Sequence, residues 1–444
     1  MKNLIALFLL FINQPVNSQT ITTFAGGGSL TVDGIPATAS RIINPGQTIF
    51  DKSENFYLPQ GQGYRVSKID TFGIITTIAG TGVLGSSGDG GQATNALFNI
   101  PNTVAIDTDG NIYISDAQNC KIRKINRVTG ILTTFAGTGA PGGFSGDGGP
   151  ATAAKLFYPS GICFDKRGNL FIGDGHRIRK VDINGIITTY AGNGIAGVSG
   201  DGGPATAAKS GSGVVCVDDI GNLYIADCGV GESRIAKVDT SGIITTFAGT
   251  SSNYVYNGEN ILATTANINP VGMAFDEAGN LFFADWYNQR VRKIDKFGIV
   301  TTIAGNGVQG FSGDGGLAIN ASLYMPQGIA VDKCDNIYIS DNGNARIRKV
   351  TFNPEPCPHL GVNDQIIQPS ISIYPNPAND VLYLDNLKSK TNYKLTSIIG
   401  KSTQKGILKQ GNNTISLKSL SPGMYLLELT NEDGERTVTK IIKQ

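Results

Sequence analysis

Histidine is almost absent from this 444-residue chain, which contains two, and only 16% of its residues are charged. So little histidine nearly excludes a histidine-held zinc site and acid–base catalysis by imidazole. The formal net charge is +1, which argues against a nucleic-acid partner because such proteins usually carry a basic surface. The function must therefore be one that needs neither imidazole chemistry nor a strongly basic surface.

Long apolar runs are also missing, with one exception at the N-terminus. Lys2 is followed by an apolar stretch over residues 4–12 and by small residues up to Ser18. This pattern predicts a secretory signal peptide over residues 1–18, cleaved between Ser18 and Gln19. The run is too short to span a bilayer. We therefore expect a mature protein that is secreted or held at the outer-membrane surface after passing the periplasm, without a transmembrane segment.

Glycine, by contrast, is in excess: the chain has 59, about 13% of its residues, where about 7% is usual. Much of this glycine recurs in phase. The string Thr-Thr-x-Ala-Gly begins at residues 22, 76, 133, 188, 245 and 301. The spacing defines six units of about 56 residues, which occupy most of the chain.

Each unit contains a glycine-rich loop followed by four short segments of β-branched and aromatic residues, separated by turn residues. The second unit shows the order of its last three strands, at Ile112–Asp116, Lys121–Ile125 and residues 130–136. Four antiparallel strands repeated six times predict an all-β fold, a six-bladed β-propeller over residues 19–353. After the predicted signal peptide comes an isolated fourth strand at residues 20–25, and the last unit lacks its fourth strand. We therefore expect the N-terminal strand to close the ring in the sixth blade.

The turn between the first and second strands usually has glycine before asparagine, as at Gly110. Glycine adopts positive φ at little cost. Glu54 in the first unit and Asp335 in the sixth replace that glycine, so we expect these two turns to be strained.

Two sets of aspartates recur with the repeat. A loop aspartate follows glycine in four units. One carboxylate per loop is far from the six to eight oxygens that calcium needs, so we expect these side chains to cap their own turns, with calcium binding as the alternative. The loop aspartates are Asp89, Asp147, Asp201 and Asp314.

The second set ends the second strand of five units, and Pro59 stands there in the first. Recurrence by symmetry predicts an architectural role, with hydrogen bonds from the next loop or from an arginine of the third strand, as from Arg346 to the last of the set. A polar ring lining the channel is the alternative. These strand-end aspartates are Asp116, Asp174, Asp227, Asp285 and Asp341.

The fifth unit departs from this symmetry. It replaces the glycine-rich loop with residues 251–257 and holds the only tryptophan of the chain. In a propeller, the loop that enters a blade and the turn between its second and third strands share one face. We therefore expect Tyr254, Tyr256, Trp286 and Tyr287 to cluster there as a ligand-binding surface, since aromatic side chains suit sugar rings and protein contacts. Local packing in a variant blade is the alternative.

The units resemble NHL repeats, a propeller family, in the Asp-x-x-Gly-Asn turn and in the third strands at Lys121–Ile125 and Arg346–Val350. The Ser-Gly-Asp-Gly-Gly-Pro-Ala-Thr loop at residues 145–152 resembles the subclass of bacterial secreted proteins and teneurins. The resemblance implies binding of proteins, glycans or nucleic acids. It also covers a few enzymes, such as the amidating lyase that holds zinc through histidines, but His176 is the only histidine of this ring.

The leading hypothesis is an exported, non-enzymatic binding or adhesion scaffold, monomeric and without a cofactor, whose loop-rich face meets an extracellular protein or glycan. A hydrolase or lactonase with a metal held by carboxylates in the central channel is one alternative. A passive surface-coat protein is the other.

The repeat stops before a proline-rich linker at residues 354–370, and residues 371–444 read as a small β-sandwich of short strands. Cys334 and Cys357 are placed so that a disulfide could tie the linker to the ring. The tail resembles the C-terminal sorting domain of type IX secretion substrates, a resemblance that implies handling by that secretion machinery and by a sortase in a bacterium of the Bacteroidetes kind. A carbohydrate-binding or spacer sandwich is the alternative. The matching residues are Pro375, Asn376, Pro377, Gly423, Tyr425 and Lys440.

Overall fold

A computed structural model of the chain describes residues 19–211, 213–229, 232–250, 254–352, 372–374, 378–397, 402–432 and 436–443. These residues form strands and short 3₁₀ helices in two compact units, which fall within Met1–His359 and Leu360–Gln444. No helix in these ranges is long and apolar enough to cross a membrane. The predicted signal peptide, Ser18, the linker, Cys357 and Pro375, Asn376 and Pro377 lie outside the described residues.

The first unit is a six-bladed β-propeller, as the repeat predicts. Each blade is an antiparallel sheet. In blades 1 to 5 the four main strands follow chain order from the centre outward, and in blade 6 the N-terminal strand is the outermost. The second strands of blades 1, 2, 3, 5 and 6 are buried at every residue because both of their faces are covered by neighbouring blades. The innermost strands are Ile49–Phe50, Pro101–Ile106, Pro159–Phe164, Val215–Val217, Pro270–Phe275 and Pro326–Val331. The second strands are Phe56–Gln60, Ile112–Asp116, Leu170–Asp174, Leu223–Gly229, Leu281–Asp285 and Ile337–Asp341.

The outer half of each blade contains the Thr-Thr-x-Ala-Gly string, which lies in the outermost strand. The third strands are Arg65–Ile69, Lys121–Ile125, Arg177–Val181, Glu232–Val238, Arg290–Ile294 and Arg346–Thr351. The outermost strands are Ile74–Ala79, Leu132–Ala136, Ile186–Ala191, Ile244–Ala248, Ile299–Ala304 and Thr20–Gly26. Two-residue strands at Ile35–Pro36, Gly149–Pro150 and Ile261–Leu262 pair with the outermost strand of blades 1, 3 and 5.

Short 3₁₀ helices mark two places in the repeat. One set follows the loop that enters each blade: Ala37–Ala39, Ala93–Asn95, Ala151–Ala153, Ala205–Ala207, Ala263–Thr265 and Ala318–Asn320. The other set connects the second and third strands of blades 1, 2, 5 and 6: Gly61–Gly63, Ala117–Asn119, Trp286–Asn288 and Asn342–Asn344.

The ring closes through the N-terminal strand, as predicted. Thr20 pairs with Thr351 and Gly26 pairs with Arg346 in an antiparallel register. Ile21 of this strand is fully buried. Phe24 packs edge-on against Tyr338 of blade 6 and Phe56 of blade 1, with ring centroids 4.8 and 5.4 Å apart. The closing strand therefore completes the sixth blade and seals it against the first.

The inner strands approach so closely that glycine is required between them. A Cβ atom on Gly272 would lie 2.0 Å from the carbonyl oxygen of Gln327. Gln47 crosses from blade 1 and donates through Nε2 to the carbonyls of Ile329 (2.6 Å) and Met273 (3.2 Å). One amide thus ties blades 1, 5 and 6 together near the centre of the ring.

The two substituted turns adopt the strained conformation that the sequence predicts. Glu54 has φ of 62° and Asp335 has φ of 60°, values that non-glycine residues seldom adopt. Gly110, at the matching place in blade 2, has φ of 84°.

The second unit contains two sheets, of three and four strands, with a shared apolar core. One sheet contains Ser372–Tyr374, Val381–Leu387 and Gly411–Ser416. The other contains Thr391–Ser397, Ser402–Leu408, Gly423–Asn431 and Arg436–Lys443. Ser402–Leu408 is a strand that the alternation of apolar residues does not predict, because most of it is polar and it lies at the edge of its sheet.

Candidate functional site

The two ends of the blades carry different chain segments. The connections between second and third strands and the loops that enter each blade lie at one end, which we call the loop face. The turns between first and second strands and between third and fourth strands lie at the other end, the turn face. The candidate site that the sequence predicts belongs to the loop face of blade 5.

Three of the four predicted aromatic residues come together there. The ring centroids of Trp286 and Tyr287 are 4.7 Å apart, and those of Tyr254 and Tyr287 are 5.4 Å apart. Tyr254 is 37% exposed and Tyr287 is 52% exposed. We call Tyr254, Trp286 and Tyr287 the aromatic patch.

The patch is held by a hydrogen-bonded anchor beneath it. Asn288 donates through Nδ2 to the carbonyl of Tyr254 (2.7 Å) and to Asp285 (2.8 Å), and its Oδ1 accepts from the Tyr256 amide (3.0 Å). The Trp286 amide donates to the carbonyl of Asn269. The segment with Tyr254 and the segment with Trp286 and Tyr287 are thus both held by hydrogen bonds that lead to the buried carboxylate of Asp285.

Tyr256, the fourth predicted residue, is not part of this patch. Its ring lies under the guanidinium of Arg290, 3.9 Å from the ring centroid to Cζ. Phe144 and Phe311 occupy the same place in blades 3 and 6, under Arg177 and Arg346. Tyr256 therefore continues a packing position of the repeat, which sequence comparison of the loops missed because the fifth loop differs in length and composition.

The loop aspartates do not cap their own turns, so that expectation is wrong. Each carboxylate instead accepts hydrogen bonds from an arginine of the third strand and from a threonine of the outermost strand. In blade 2, Asp89 is 2.9 Å from Arg123 and accepts the Thr134 hydroxyl at 2.6 Å. The matching pairs are Asp147–Arg179, Asp201–Arg234 and Asp314–Arg348.

The strand-end aspartates are the inner partners of the same arginines. Asp116 is fully buried, lies 3.3 Å from Arg123, and accepts the amide of Asn99 at 2.8 Å. The other four are Asp174, Asp227, Asp285 and Asp341, each within 4 Å of an arginine of its own blade. Each of these five arginines therefore contacts the aspartate at the end of the second strand of its own blade. Four of them also pair with the aspartate of the loop that enters the blade.

Two details of the predicted pairing require correction. The partner of Asp341 is Arg348 and not Arg346, because Arg346 turns outward over Phe311. In blade 1 the position belongs to Gln60 and not to Pro59, since Gln60 pairs with Arg65 in the strand register. Gln60 donates to Ser67 at 3.0 Å, so blade 1 replaces both members of the ion pair with neutral residues.

Blade 5 modifies the ion pair as well as the loop. Glu259 stands where the other loops have aspartate, but it accepts hydrogen bonds from Tyr256 (2.7 Å) and from the Thr302 amide (2.6 Å). Arg292 keeps one carboxylate partner, Asp285, at 3.7 Å. The spacing of Glu259 from Arg292 in the sequence matches that of the loop aspartates from their arginines, so this equivalence is visible in the sequence.

Burial raises the pKa of Asp116, Asp174 and Asp285 to about 6, above the 3.8 of an exposed aspartate. In the folded protein these groups bind protons at a higher pH than in the unfolded chain. Their contribution to the free energy of unfolding is therefore complete below pH 3.8 and is lost as the pH rises through 6.

The raised pKa values predict how the melting temperature, measured by circular dichroism, depends on pH. We expect the melting temperature at pH 5 to equal or exceed that at pH 7.5, and Asp285→Asn to weaken the dependence. A melting temperature that falls steadily from pH 7.5 to pH 5 would contradict the assignment.

The alternative with a metal in the central channel requires converging carboxylates. The six inner strands contain no aspartate, glutamate or histidine. Among the described residues, no group of three or more His, Cys, Asp and Glu side chains is placed to hold a metal ion. The described residues of the inner strands therefore do not supply the converging carboxylates that this alternative needs.

Cys334 is disulfide-bonded, while Cys120, Cys163, Cys216 and Cys228 are free thiols. The predicted partner, Cys357, lies outside the described residues, so the pairing stays a prediction.

Several segments of this chain match models of known protein families. A model described as the NHL repeat matches residues 323–350, and a model of the teneurin NHL domain matches residues 84–142 and 140–198. A model of the secretion system C-terminal sorting domain matches residues 372–444. Parts of the propeller are therefore similar to NHL repeats, and the C-terminal unit is similar to secretion sorting domains.

Several curated proteins and solved structures are similar to it. Protein SUPPRESSOR OF QUENCHING 1 of Arabidopsis thaliana is 28% identical over 286 residues, which cover 61% of this chain and 27% of that protein. Teneurin-1 of Gallus gallus is 29% identical over 237 residues, or 47% of this chain and 8% of its own length. This chain thus spans about a quarter or less of these relatives.

An auxiliary nutrient binding protein from Bacteroides ovatus has a TM-score of 0.56 and 17% identity, and covers 75% of this chain and 76% of its own. A Bacteroides thetaiotaomicron protein of unknown function has the same score, identity and coverage. At this level of identity the likeness shows the propeller fold alone.

Proposed function

We propose that this protein is an exported binding protein whose aromatic patch contacts an extracellular protein or glycan. The observation that carries the proposal is the cluster of Tyr254, Tyr287 and Trp286 on a blade that departs from the repeat, in which the two tyrosines are exposed and the tryptophan is half-buried. Exposed aromatic rings on a rigid support are the usual anchors of protein and sugar recognition, because they bury much area at little entropic cost.

We propose that the predicted signal peptide and the C-terminal segment that resembles a sorting domain direct the export of this protein. We infer handling by type IX secretion machinery, removal of the tail by a sortase, and release or attachment at the cell surface. The match of residues 372–444 to the sorting-domain model supports this route.

The test is a glycan and surface-protein array followed by titration of the best ligand with Trp286→Ala/Tyr254→Ala. Truncating both rings should weaken binding by about a hundredfold or more, since anchor residues each cost about 2 kcal/mol or more. The blade should stay folded, because Asn288 and Asp285 remain in place.

The matched control is Phe72→Ala/Phe297→Ala, which removes two exposed aromatic rings, 53% and 75% accessible, from the turn face. This pair should bind like the natural protein. Equal binding by the patch variant would refute the site, and no binding to any array member would favour a passive coat protein.

A further inference from the structure

A second candidate site lies on the turn face, away from the aromatic patch. A cleft of about 740 Å³ opens between blades 1 and 2, within the range of about 300–1,000 Å³ typical of small-molecule sites. Its walls are the turns at residues 51–55, 107–110 and 126–130. The turn of blade 2 that contains Arg127 is one residue longer than the Asp-x-x-Gly turns of blades 1, 3, 4 and 5.

The cleft contains a cation with no partner. Lys68 Nζ makes no hydrogen bond, ion pair or ring contact with any described residue. The matching lysines of blades 2, 4 and 6 lie over a tyrosine of the second strand, at 5.2, 5.7 and 5.2 Å. Arg127 and Lys52 also line the cleft, and each has a single backbone carbonyl as a side-chain partner within the described residues, Asp109 at 3.4 Å and Thr108 at 3.2 Å.

Among the described residues, the carboxylates that line the cleft form no ion pair with these cations. Asp51 accepts hydrogen bonds from Ser53, Asn55 and Tyr57 at 2.8–3.1 Å. Asp107 likewise accepts hydrogen bonds from residues of its own turn and of the strand that follows. Among the described residues, the Asp109 side chain has no partner and can accept hydrogen bonds.

The floor of the cleft is apolar. Ile78 and Ile106 are half-buried and line it together with Ile112 and Ile125. Among the described residues, the site therefore offers cationic donors, one carboxylate acceptor without a side-chain partner, and an aliphatic lining.

We propose that this cleft binds a small anionic sugar. The carboxylate or phosphate of the ligand pairs with Lys68 and Arg127, its hydroxyls donate to Asp109, and the apolar face of its ring lies on the isoleucines. The site is independent of the aromatic patch, because it is built by other blades at the opposite end of the strands.

Calorimetric titration of the full chain with trigalacturonate, glucose 6-phosphate and neutral maltotriose tests this proposal. At least one anionic probe should bind about tenfold or more tightly than maltotriose, because each charge-assisted hydrogen bond adds about that factor. Added salt should weaken this binding. Which anion binds distinguishes a carboxylate ligand from a phosphate ligand, and either result supports the proposal.

Lys68→Met/Arg127→Ala should reduce the anionic affinity by about tenfold or more. The control is Lys237→Met/Arg167→Ala, which makes the same changes of residue and charge in other blades. Arg127→Ala alone, at an exposed position, serves if the double variant is unstable. Binding that is equal for neutral and anionic probes, absent for all three, or lost equally in the control would overturn the proposal.

Discussion

A variant that lacks residues 20–26 should lose the cooperative unfolding of the propeller. The deleted strand pairs along its length with Arg346–Thr351, and each backbone hydrogen bond contributes about 1 kcal/mol. Burying the Ile21 side chain adds about 2–3 kcal/mol. The loss should therefore be comparable with the whole stability of an ordinary domain, about 5–15 kcal/mol.

Thermal unfolding and limited proteolysis measure this effect. Thr22→Ala is the control, since Thr22 is exposed and the substitution keeps every backbone pair. A synthetic peptide of residues 19–26, added in trans, should restore part of the lost stability. An unchanged melting temperature in the deletion would rule out closure by this strand.

We expect the substitution Arg123→Met to cause a second large loss in the free energy of unfolding. This side chain is fully buried between Asp116 and Asp89. Removing one member of a buried ion pair costs about 3–5 kcal/mol, because the remaining charge has no partner. Denaturant titration of the free energy of unfolding should show a loss of this size.

Blade 5 provides the matched comparison. Arg292→Met should cost less than Arg123→Met, since Arg292 has one carboxylate partner at 3.7 Å and Glu259 bonds elsewhere. Arg127→Met, at an exposed arginine, should change stability by about 0.5 kcal/mol or less. Equal losses in blades 2 and 5 would show that the loop carboxylate contributes nothing.

The architecture could be predicted because the repeat encodes it locally. Strand length, the turn glycines and the unpaired strands at both ends of the ring are all visible in the sequence. The strain at Glu54 and Asp335 followed from one substitution in an aligned turn. These features depend on neighbours in the chain and on symmetry.

The side-chain partnerships could not be predicted in the same way. Asp89 meets Arg123 across 34 residues, and no local pattern distinguishes that contact from a turn cap. Tyr256 is of the same residue type as members of the aromatic patch, so the sequence groups it with them. Its position in the repeat instead places its ring under Arg290. The cleft between blades 1 and 2 depends on Lys68, which pairs with Tyr57 in the strand register but makes no cation–π contact with a ring among the described residues, and that is a property of side-chain packing.

Ring closure also has a consequence for the order of events during biogenesis. Thr20 pairs with Thr351, so the first strand made must wait until the last blade has been delivered. Until then both ends of the blade stack present unpaired edges, which are prone to pair with other chains. Such long-range contacts form slowly. The propeller therefore completes its fold only after its last blade is available, and the unclosed ring is the stage at which a chaperone would have the most effect.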